Sequence, residues 1–321
     1  MSDVVALGEL LIDFASVSKD DSGYPTMKAN PGGAPGNFLA AINAYGLKTA
    51  FIGKVGRDAF GDMLIKTLKD SGIETRGIVS DDSVFTTLAF VTFDGNNDRS
   101  FSFARKPGAD TQLDISDIDL TLIDEASVFH FGTLSLTDEP ARSATRFAVD
   151  YAKKHGKLIT FDPNLRKPLW KSEDAARDAM LWGFDRADVV KISDDEVDFV
   201  WGVSCADGAE RLIRDHGVSL AMVTQGAKGC YLRSKNASVF VPAPEVTPVD
   251  TTGAGDIFGG SAVARLLELK KSPSLLSESE LYHIASYAVT AASLSTEKSG
   301  GIPSIPDQEE VLSYMNKHSD L

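Results

Sequence analysis

Cysteine is almost absent from this sequence, since Cys205 and Cys230 are the only two among 321 residues. Two cysteines cannot build a disulfide framework or a four-cysteine zinc site. Long apolar runs are lacking too, because charge or glycine interrupts each one before the roughly 18 residues that a membrane helix needs. Hydrophobic residues still make up 43% of the chain. The sequence therefore predicts a protein that folds around its own core, without covalent staples and without a membrane span.

Basic clusters are missing as well. The chain has 32 Lys and Arg against 46 Asp and Glu, which gives a net charge of −14. Nucleic-acid binding needs a basic surface, so no nucleic-acid partner is expected. The N-terminus lacks the basic and apolar segments of a signal peptide, which favours a cytoplasmic location. An acidic chain does not attract a nucleotide from a distance, so any nucleotide must be held by local groups.

Strand-like apolar runs alternate with helix-like segments along the chain. The strand-like runs are Val4–Phe14, Thr49–Val55, Val128–Ser135, Lys157–Asp162, Val189–Ser193 and Leu220–Thr224. Apolar spacings of three and four predict helices at Asn37–Tyr45, Asp58–Asp70, Glu139–His155, Ala206–His216, Gly255–Leu269, Glu278–Ser295 and Asp307–Lys317. This alternation predicts an α/β fold in which a mostly parallel sheet carries helices on both faces.

Three segments do not fit that alternation. Val84–Asp94 and Arg99–Ala104 alternate apolar and polar residues around a glycine-asparagine turn at 95–97, which predicts a β-hairpin with one solvated face. Residues 15–30 are polar and turn-rich, and we expect them to join the same small sheet. We predict a single α/β domain over residues 1–321, with a lid formed by about 15–30 and 84–104.

Three glycine-rich segments indicate that backbone and ligand approach closely. They are Gly32–Asn37, Gln225–Gly229 and Thr251–Asp256. The third begins like a dinucleotide fingerprint, but Phe258 stands where a third glycine is needed, which disfavours a nicotinamide cofactor and hence a dehydrogenase. A Walker-type Gly-x-x-x-x-Gly-Lys-Ser/Thr does not occur.

The third segment predicts a helix N-terminus built from small residues. Backbone N–H groups of Gly253, Ala254 and Gly255 would form an anion hole there, at the positive end of the helix dipole. Asp256, one residue further, is placed to accept a proton while a phosphoryl group is held beside it. The alternative is that Asp256 is only a first-turn acid that complements the dipole.

The whole string Asp250–Phe258 closely resembles a signature of the ribokinase-like carbohydrate kinases, the pfkB family. Pro31–Asn37 resembles the family's other signature, and Gly8–Asp13 resembles its first strand, which ends in a sugar-binding acid. The likeness covers essentially the full chain, with the motifs in the family's order. It implies a ribokinase-like three-layer fold with a β-sheet lid, and transfer of a phosphoryl group from ATP to a small sugar.

The resemblance also assigns residues to roles. The implied sugar-binding residues are Asp13, Gly32, Gly33, Asn37 and Asp256, with Arg105 as a further cation in the lid. The implied catalytic set is Asp256 with Gly253, Ala254, Gly255 and Arg166. The nucleotide would contact Asn164, Lys191, Thr224, Gln225, Gly226, Gly229 and Gly255. Arg166 has a simpler alternative as a surface cation.

Two ion sites follow from the same resemblance. The family's magnesium-associated Asn-x-x-Glu reads Ser193-Asp194-Asp195-Glu196 here, so we expect Glu196 to act on Mg²⁺ through water. Ser193 and Glu196 also have the spacing of a helix capping box, and both readings can hold together. Asp250 and Thr252 match positions where relatives bind a monovalent cation, which predicts a K⁺ requirement.

The exact sugar is less sharply indicated. The Gly-Gly-Ala-Pro form of the first signature looks most like the fructokinase branch, with fructose 6-phosphate as product. The alternatives are ribose and the sugar acid 2-keto-3-deoxygluconate. For the sugar acid, Arg105 would be the cation near the substrate carboxylate. A catalytically silent sugar-binding regulator is a more remote possibility, because the base and the anion-hole glycines are intact. The aromatic residues of the lid hairpin are expected to cover the core or the sugar, or to pair two subunits in a homodimer.

Overall fold

The computed structural model describes residues 2–93 and 99–318. Its strands are β1 Val4–Leu7, β2 Leu11–Lys19, β3 Pro25–Gly32, β4 Thr49–Gly56, β5 Glu74–Asp81, β6 Leu88–Phe93, β7 Arg99–Ala104, β8 Val128–Gly132, β9 Leu158–Asp162, β10 Val189–Ser193, β11 Leu220–Thr224, β12 Cys230–Ser234 and β13 Ser238–Val241. Its α-helices are α1 Ala34–Ala44, α2 Ala59–Asp70, α3 Leu120–Glu125, α4 Ala141–Lys154, α5 Glu173–Phe184, α6 Asp194–Trp201, α7 Cys205–His216, α8 Ala254–Glu268, α9 Glu278–Ser295 and α10 Gln308–Lys317.

The described residues form a nine-stranded sheet in the order β13-β12-β11-β10-β9-β8-β1-β4-β5. Strands from β11 to β5 in that order are parallel, and β12 and β13 add an antiparallel edge. The central strands are buried along almost their whole length, as expected when helices cover both faces. The predicted α/β class is thus confirmed.

Helices cover the two faces in separate groups. One buried cluster joins the sheet to α3 through α7, with Phe161, Met180 and Leu212 among its members. On the other face, α1, α2, α8 and α9 pack around residues such as Phe38 and Phe258. Within residues 2–93 and 99–318, none of the helices has both the length and the apolar character that a bilayer crossing requires.

The run Val4–Phe14 is not the single strand that its apolar pattern predicts. It breaks at Gly8, so that β1 joins the large sheet and β2 joins a separate four-stranded sheet in the order β3-β2-β6-β7. A Cβ at residue 8 would lie 2.6 Å from Pro35 Cγ, so glycine lets the chain pass close to the start of α1 at this point. Asp13 therefore lies inside β2 of the small sheet and not at the end of the first strand.

The small sheet contains the predicted hairpin strands and most of residues 15–30. The hairpin strand predicted to start at Val84 begins only at Leu88. Residues 84–87 instead connect the small sheet to the core, where Thr86 N donates to Asp58 Oδ2 at 2.8 Å. Phe90 stacks on Phe14 of β2 with 5.4 Å between ring centroids. The predicted turn at 95–97 lies outside the described residues.

Candidate active site

A cleft of about 400 Å³ opens where the large sheet meets the small one. Its floor is formed by segments that follow β1 and β9 and by Lys191 of β10, so it lies at the carboxyl ends of parallel strands. Open α/β sheets bind ligands at this edge. The N-termini of α1 and α8 reach the cleft from one side, and β2 and β3 close it from the other.

Most residues predicted from the sequence line this cleft together. They are Asp13, Gly33, Asn37, Asn164, Arg166, Lys191, Asp250, Thr252, Gly253, Gly255 and Asp256. Other predicted residues lie beside it or farther away and do not line it, namely Gly32, Arg105, Ala254, Glu196, Thr224, Gln225, Gly226 and Gly229. Segments as much as 240 residues apart in sequence are thus brought to one place.

Asp256 lies in the first turn of α8 and is buried. Asn37 Nδ2 of α1 donates to Asp256 Oδ2 at 2.8 Å, which fixes the orientation of the carboxylate. Burial raises the pKa of Asp256, while the Asn37 hydrogen bond and the charges of Lys191 and Arg166 oppose that shift. A carboxylate with a raised pKa, held in a cleft, is a suitable proton acceptor.

The start of α8 has the features of an anion site. Its N-cap, Gly253, adopts a left-handed conformation with φ 79°, and no side chain of that residue caps the helix. A Cβ at residue 255 would lie 2.9 Å from Lys191 Nζ, so glycine leaves space between the helix and that ammonium group. Backbone N–H groups and a cation therefore converge on one side of Asp256.

Lys191 is a buried cation at the floor of the cleft. Its Nζ donates to Asp162 Oδ2 at 3.0 Å and to Oδ1 at 3.3 Å. Burial opposes charge on both partners and raises the pKa of Asp162, but the carboxylates of Asp162, Glu196 and Asp256 raise the pKa of Lys191. Lys191 is thus held as a cation beside the anion site, where it can face a phosphate.

Asp13 faces the cleft from β2. Burial raises its pKa to about 6, an effect that the charge of Arg166 reduces and those of Asp256 and Asp250 increase. A side chain at residue 32 would overlap the Asp13 carboxylate, so Gly32 serves by leaving room for it. Above its pKa, Asp13 is an acceptor for hydroxyl groups.

Glu196 has partners for both of its carboxylate oxygens. Oε1 accepts from Leu165 N at 2.7 Å, and Oε2 accepts from Ser193 N at 2.8 Å. Ser193 Oγ completes the capping box of α6, as its spacing predicts. The donor chemistry fits Mg²⁺ held through water, because direct coordination would disrupt these backbone hydrogen bonds. The described residues contain no group of three or more His, Cys, Asp or Glu side chains arranged to hold a metal.

Asp250 ties the segment before α8 to the loop after α9. Its Oδ1 accepts from Thr252 N at 3.0 Å, and its Oδ2 accepts from Gly300 N at 3.0 Å. Because both oxygens already accept hydrogen bonds, a monovalent cation here would need backbone carbonyl oxygens as further ligands beside the carboxylate. Sequence reasoning missed Ser299, Gly300 and Gly301, although the two adjacent glycines after a long helix are a usable signal.

Arg105 lies behind the cleft and is buried. Its Nε donates to Asp110 Oδ2 at 2.8 Å and its Nη2 to the Leu134 carbonyl at 2.8 Å. Leu134 lines the cleft. The predicted role of Arg105 as a lid cation for a substrate carboxylate therefore stays a prediction, and the guanidinium already neutralises Asp110.

The predicted nucleotide turn follows β11. Gln225 precedes a short 3-10 turn in which Gly226 and Gly229 have φ of 54° and 119°, values that favour glycine. A Cβ at residue 229 would clash with the Val241 carbonyl. The glycines thus have a structural reason of their own, and nucleotide binding by this turn stays a prediction.

The cleft combines a buried carboxylate, a helix N-terminus without a side-chain cap, a buried ammonium and acceptors for hydroxyl groups. These are the parts of a phosphotransferase that uses an alcohol as acceptor.

Comparison with known proteins agrees with this class. The family model described as pfkB family carbohydrate kinase matches residues 1–308. Fructokinase-1 of Zea mays is 40% identical over 319 residues, which cover 98% of each chain. Among solved structures, fructokinase of Xylella fastidiosa with bound ATP has a TM-score of 0.91 and 28% identity, covering 99% of this chain and 100% of that one. Fructokinase of Vibrio cholerae, solved with fructose, ADP and calcium, has a TM-score of 0.84 and 30% identity, with coverage of 98% and 99%. The chain belongs to the pfkB family of carbohydrate kinases.

Proposed function

We propose that this protein is an ATP-dependent fructokinase, which transfers the γ-phosphoryl group to the primary hydroxyl of D-fructose and releases fructose 6-phosphate and ADP. The observation that carries the proposal is the placement of Asp256. Its carboxylate is buried in the cleft, oriented by Asn37 and adjacent to the uncapped N-terminus of α8. The resemblance of the chain to named fructokinases supports fructose as the acceptor.

In this mechanism, the sugar lies against the small sheet. Asp13 and Asn37 would hold its hydroxyl groups, since both residues line the cleft. Asp256 takes the proton of the primary hydroxyl as that oxygen attacks phosphorus. Backbone N–H groups of Gly253, Ala254 and Gly255, with Arg166, then stabilise the charge on the transferred group.

ATP would lie over the carboxyl ends of the neighbouring strands. Lys191 and Asn164 line the floor on that side, and the turn with Thr224, Gln225, Gly226 and Gly229 extends the same edge. Mg²⁺ would neutralise phosphate charge, with Glu196 acting on it through water. Asp250 and Thr252 remain our candidates for a K⁺ site. We propose the cytoplasm as the location of this reaction.

The small sheet is proposed to act as a lid of a single ribokinase-like domain. Phe103 and Val91 of its hairpin line the cleft. Closure over the sugar would exclude water, which competes with fructose as phosphoryl acceptor. Val17 of β2 and Tyr24 in the turn before β3 are 59% and 70% exposed, and we propose this sheet as the surface through which two subunits would pair in a homodimer.

The test is an ADP-release assay across fructose, ribose, tagatose, adenosine and 2-keto-3-deoxygluconate. We expect the highest kcat/KM with fructose and a product identified as fructose 6-phosphate. Highest kcat/KM with the sugar acid would favour that alternative. Sugar binding without release of ADP from ATP, whichever acceptor is supplied, would contradict the enzymatic function and favour a regulator.

A further inference from the structure

Glu9 is a buried acid on the cleft wall that the mechanism above does not use. It follows β1, is 3% exposed and lines the cleft. Its Oε1 accepts from Ala34 N, the first residue of α1, at 3.0 Å. The N-cap of α1 is a glycine, and the first turn of α1 contains no acid. Glu9 therefore supplies, from a distant part of the sequence, the carboxylate that stabilises the positive end of this helix.

The backbone around this hydrogen bond is tightly packed. Gly33 has φ 116°, and a Cβ at that position would clash with the Glu9 carbonyl. On the neighbouring strand-end, a Cβ at residue 8 would meet Pro35 Cγ at 2.6 Å. The start of α1 thus has little room to shift toward a new partner if the carboxylate is removed.

Helix α1 transmits this contact to the reacting groups. Asn37 lies in its first turn and donates to Asp256 Oδ2. A Cβ at residue 253 would lie 3.2 Å from Asn37 Nδ2, so the starts of α1 and α8 are in close contact through this amide. The position of α1 therefore sets the position of Asn37 and the orientation of Asp256.

We propose that Glu9 is a positioning residue for sugar phosphorylation: its carboxylate holds the N-terminus of α1, so that Asn37 and Asp256 face the acceptor hydroxyl. This inference rests on the proposed function. It predicts an effect on the sugar side of the reaction and little effect on ATP binding, since the ATP side of the cleft is built from other elements.

The charge of Glu9 gives the inference a second readout. Burial raises its pKa to about 7; the hydrogen bonds from its own N–H and from Ala34 N lower it, Asp110 raises it and Arg105 lowers it. A carboxylate accepts the Ala34 hydrogen bond more strongly than a neutral acid does. The hydrogen bond from Ala34 N to Glu9 is therefore strongest above about pH 7 and weakens below it.

The experiment compares Glu9→Ala, Glu9→Gln and a control, Asp188→Ala. Asp188 Oδ2 accepts from Ile159 N at 2.8 Å, near the opposite end of β9 from the cleft, so its loss removes a similar hydrogen bond away from the site. We expect Glu9→Ala to raise the fructose KM about tenfold and lower kcat, while the ATP KM stays within about twofold. Glu9→Gln should recover most of this loss, and Asp188→Ala should change the melting temperature alone.

The pH profile keeps the test decisive if Glu9→Ala does not fold. Asp13 titrates in wild type and in Glu9→Gln alike, so the ratio of their kcat/KM values for fructose isolates Glu9. We expect kcat/KM for fructose to be higher in wild type than in Glu9→Gln at about pH 8, and to be equal in the two proteins at about pH 6. An advantage independent of pH, unchanged kinetics in Glu9→Ala, or equal losses for fructose and ATP would overturn the inference. Wild-type turnover with fructose, measured alongside, tests the proposed function separately.

Discussion

The starts of α1 and α8 are alike in backbone and different in charge. Each follows a glycine with positive φ, 116° at Gly33 and 79° at Gly253, and neither glycine caps its helix with a side chain. At α1 the first N–H donates to the carboxylate of Glu9, whereas at α8 the first N–H donates to the neutral carbonyl of Thr251 at 3.3 Å, and Lys191 lies nearby. A helix start whose first N–H is paired with an acid suits a neutral sugar, and one without an acid on that N–H suits a phosphate. The comparison teaches that local charge, more than backbone shape, assigns the role of each helix start.

The largest expected effect comes from removing the base at α8. Asp256→Asn should keep the fold and lower kcat by about 10² to 10⁴-fold, because an amide cannot accept the proton. Steady-state kinetics with fructose and ATP measures this. Asp62→Asn is the matched control, since Asp62 is an exposed acid in the first turn of α2. A variant that retains more than about a tenth of wild-type kcat would remove Asp256 from the mechanism.

Filling the space beside the start of α8 should have the next largest effect. Gly255→Val would fill the space between α8 and Lys191, and we expect kcat/KM for ATP to fall by up to about 10²-fold. Gly259→Ala is the control, because a Cβ at residue 259 of the same helix makes only ordinary contacts, 3.5 Å from Phe38 Cδ2. Equal turnover in Gly255→Val and Gly259→Ala would contradict the anion hole.

A smaller effect is expected from pH on the sugar side. The pKa of Asp13 is raised to about 6, so the carboxylate is ionised above that pH and neutral below it. If the ionised form holds the sugar, kcat/KM for fructose should fall about tenfold per pH unit below about pH 6. Asp13→Asn should lower kcat/KM for fructose and remove the contribution of this carboxylate to the fall of kcat/KM at acid pH. An unchanged fall at acid pH in that variant would assign it to another acid.

The sequence predicts best what depends on local pattern. Helix α9 begins and ends where its apolar spacing predicts, α8 is shifted by one residue at each end, and α10 begins one residue later than predicted. Helix α3 escaped prediction, because six residues contain too few turns for the spacing to repeat, and α5 was not predicted either. Of α6 only the start was predicted, from its capping box. Strand β2 was merged with β1, since a run of apolar residues does not reveal that the chain leaves one sheet for another at Gly8.

Within the site, motifs predicted the residues but not their partners. Asp256, Asn37 and Asp13 carry recognisable patterns, and the cleft brings them together. Their roles remain to be tested by the substitutions above. The pairing of Lys191 with Asp162 and of Glu9 with Ala34 joins segments 25 or more residues apart, and no spacing rule relates them. Such contacts are set by tertiary packing, so only the folded chain shows them.

The most direct test of the account measures binding and turnover on the same variant. Titration calorimetry of Asp256→Asn with fructose and with a non-hydrolysable ATP analogue separates the chemical role of the carboxylate from a structural one. The account predicts dissociation constants close to those of the wild type for both ligands, while turnover is lost. Loss of sugar or nucleotide binding in proportion to the loss of turnover would show that Asp256 maintains the site and does not act as the base.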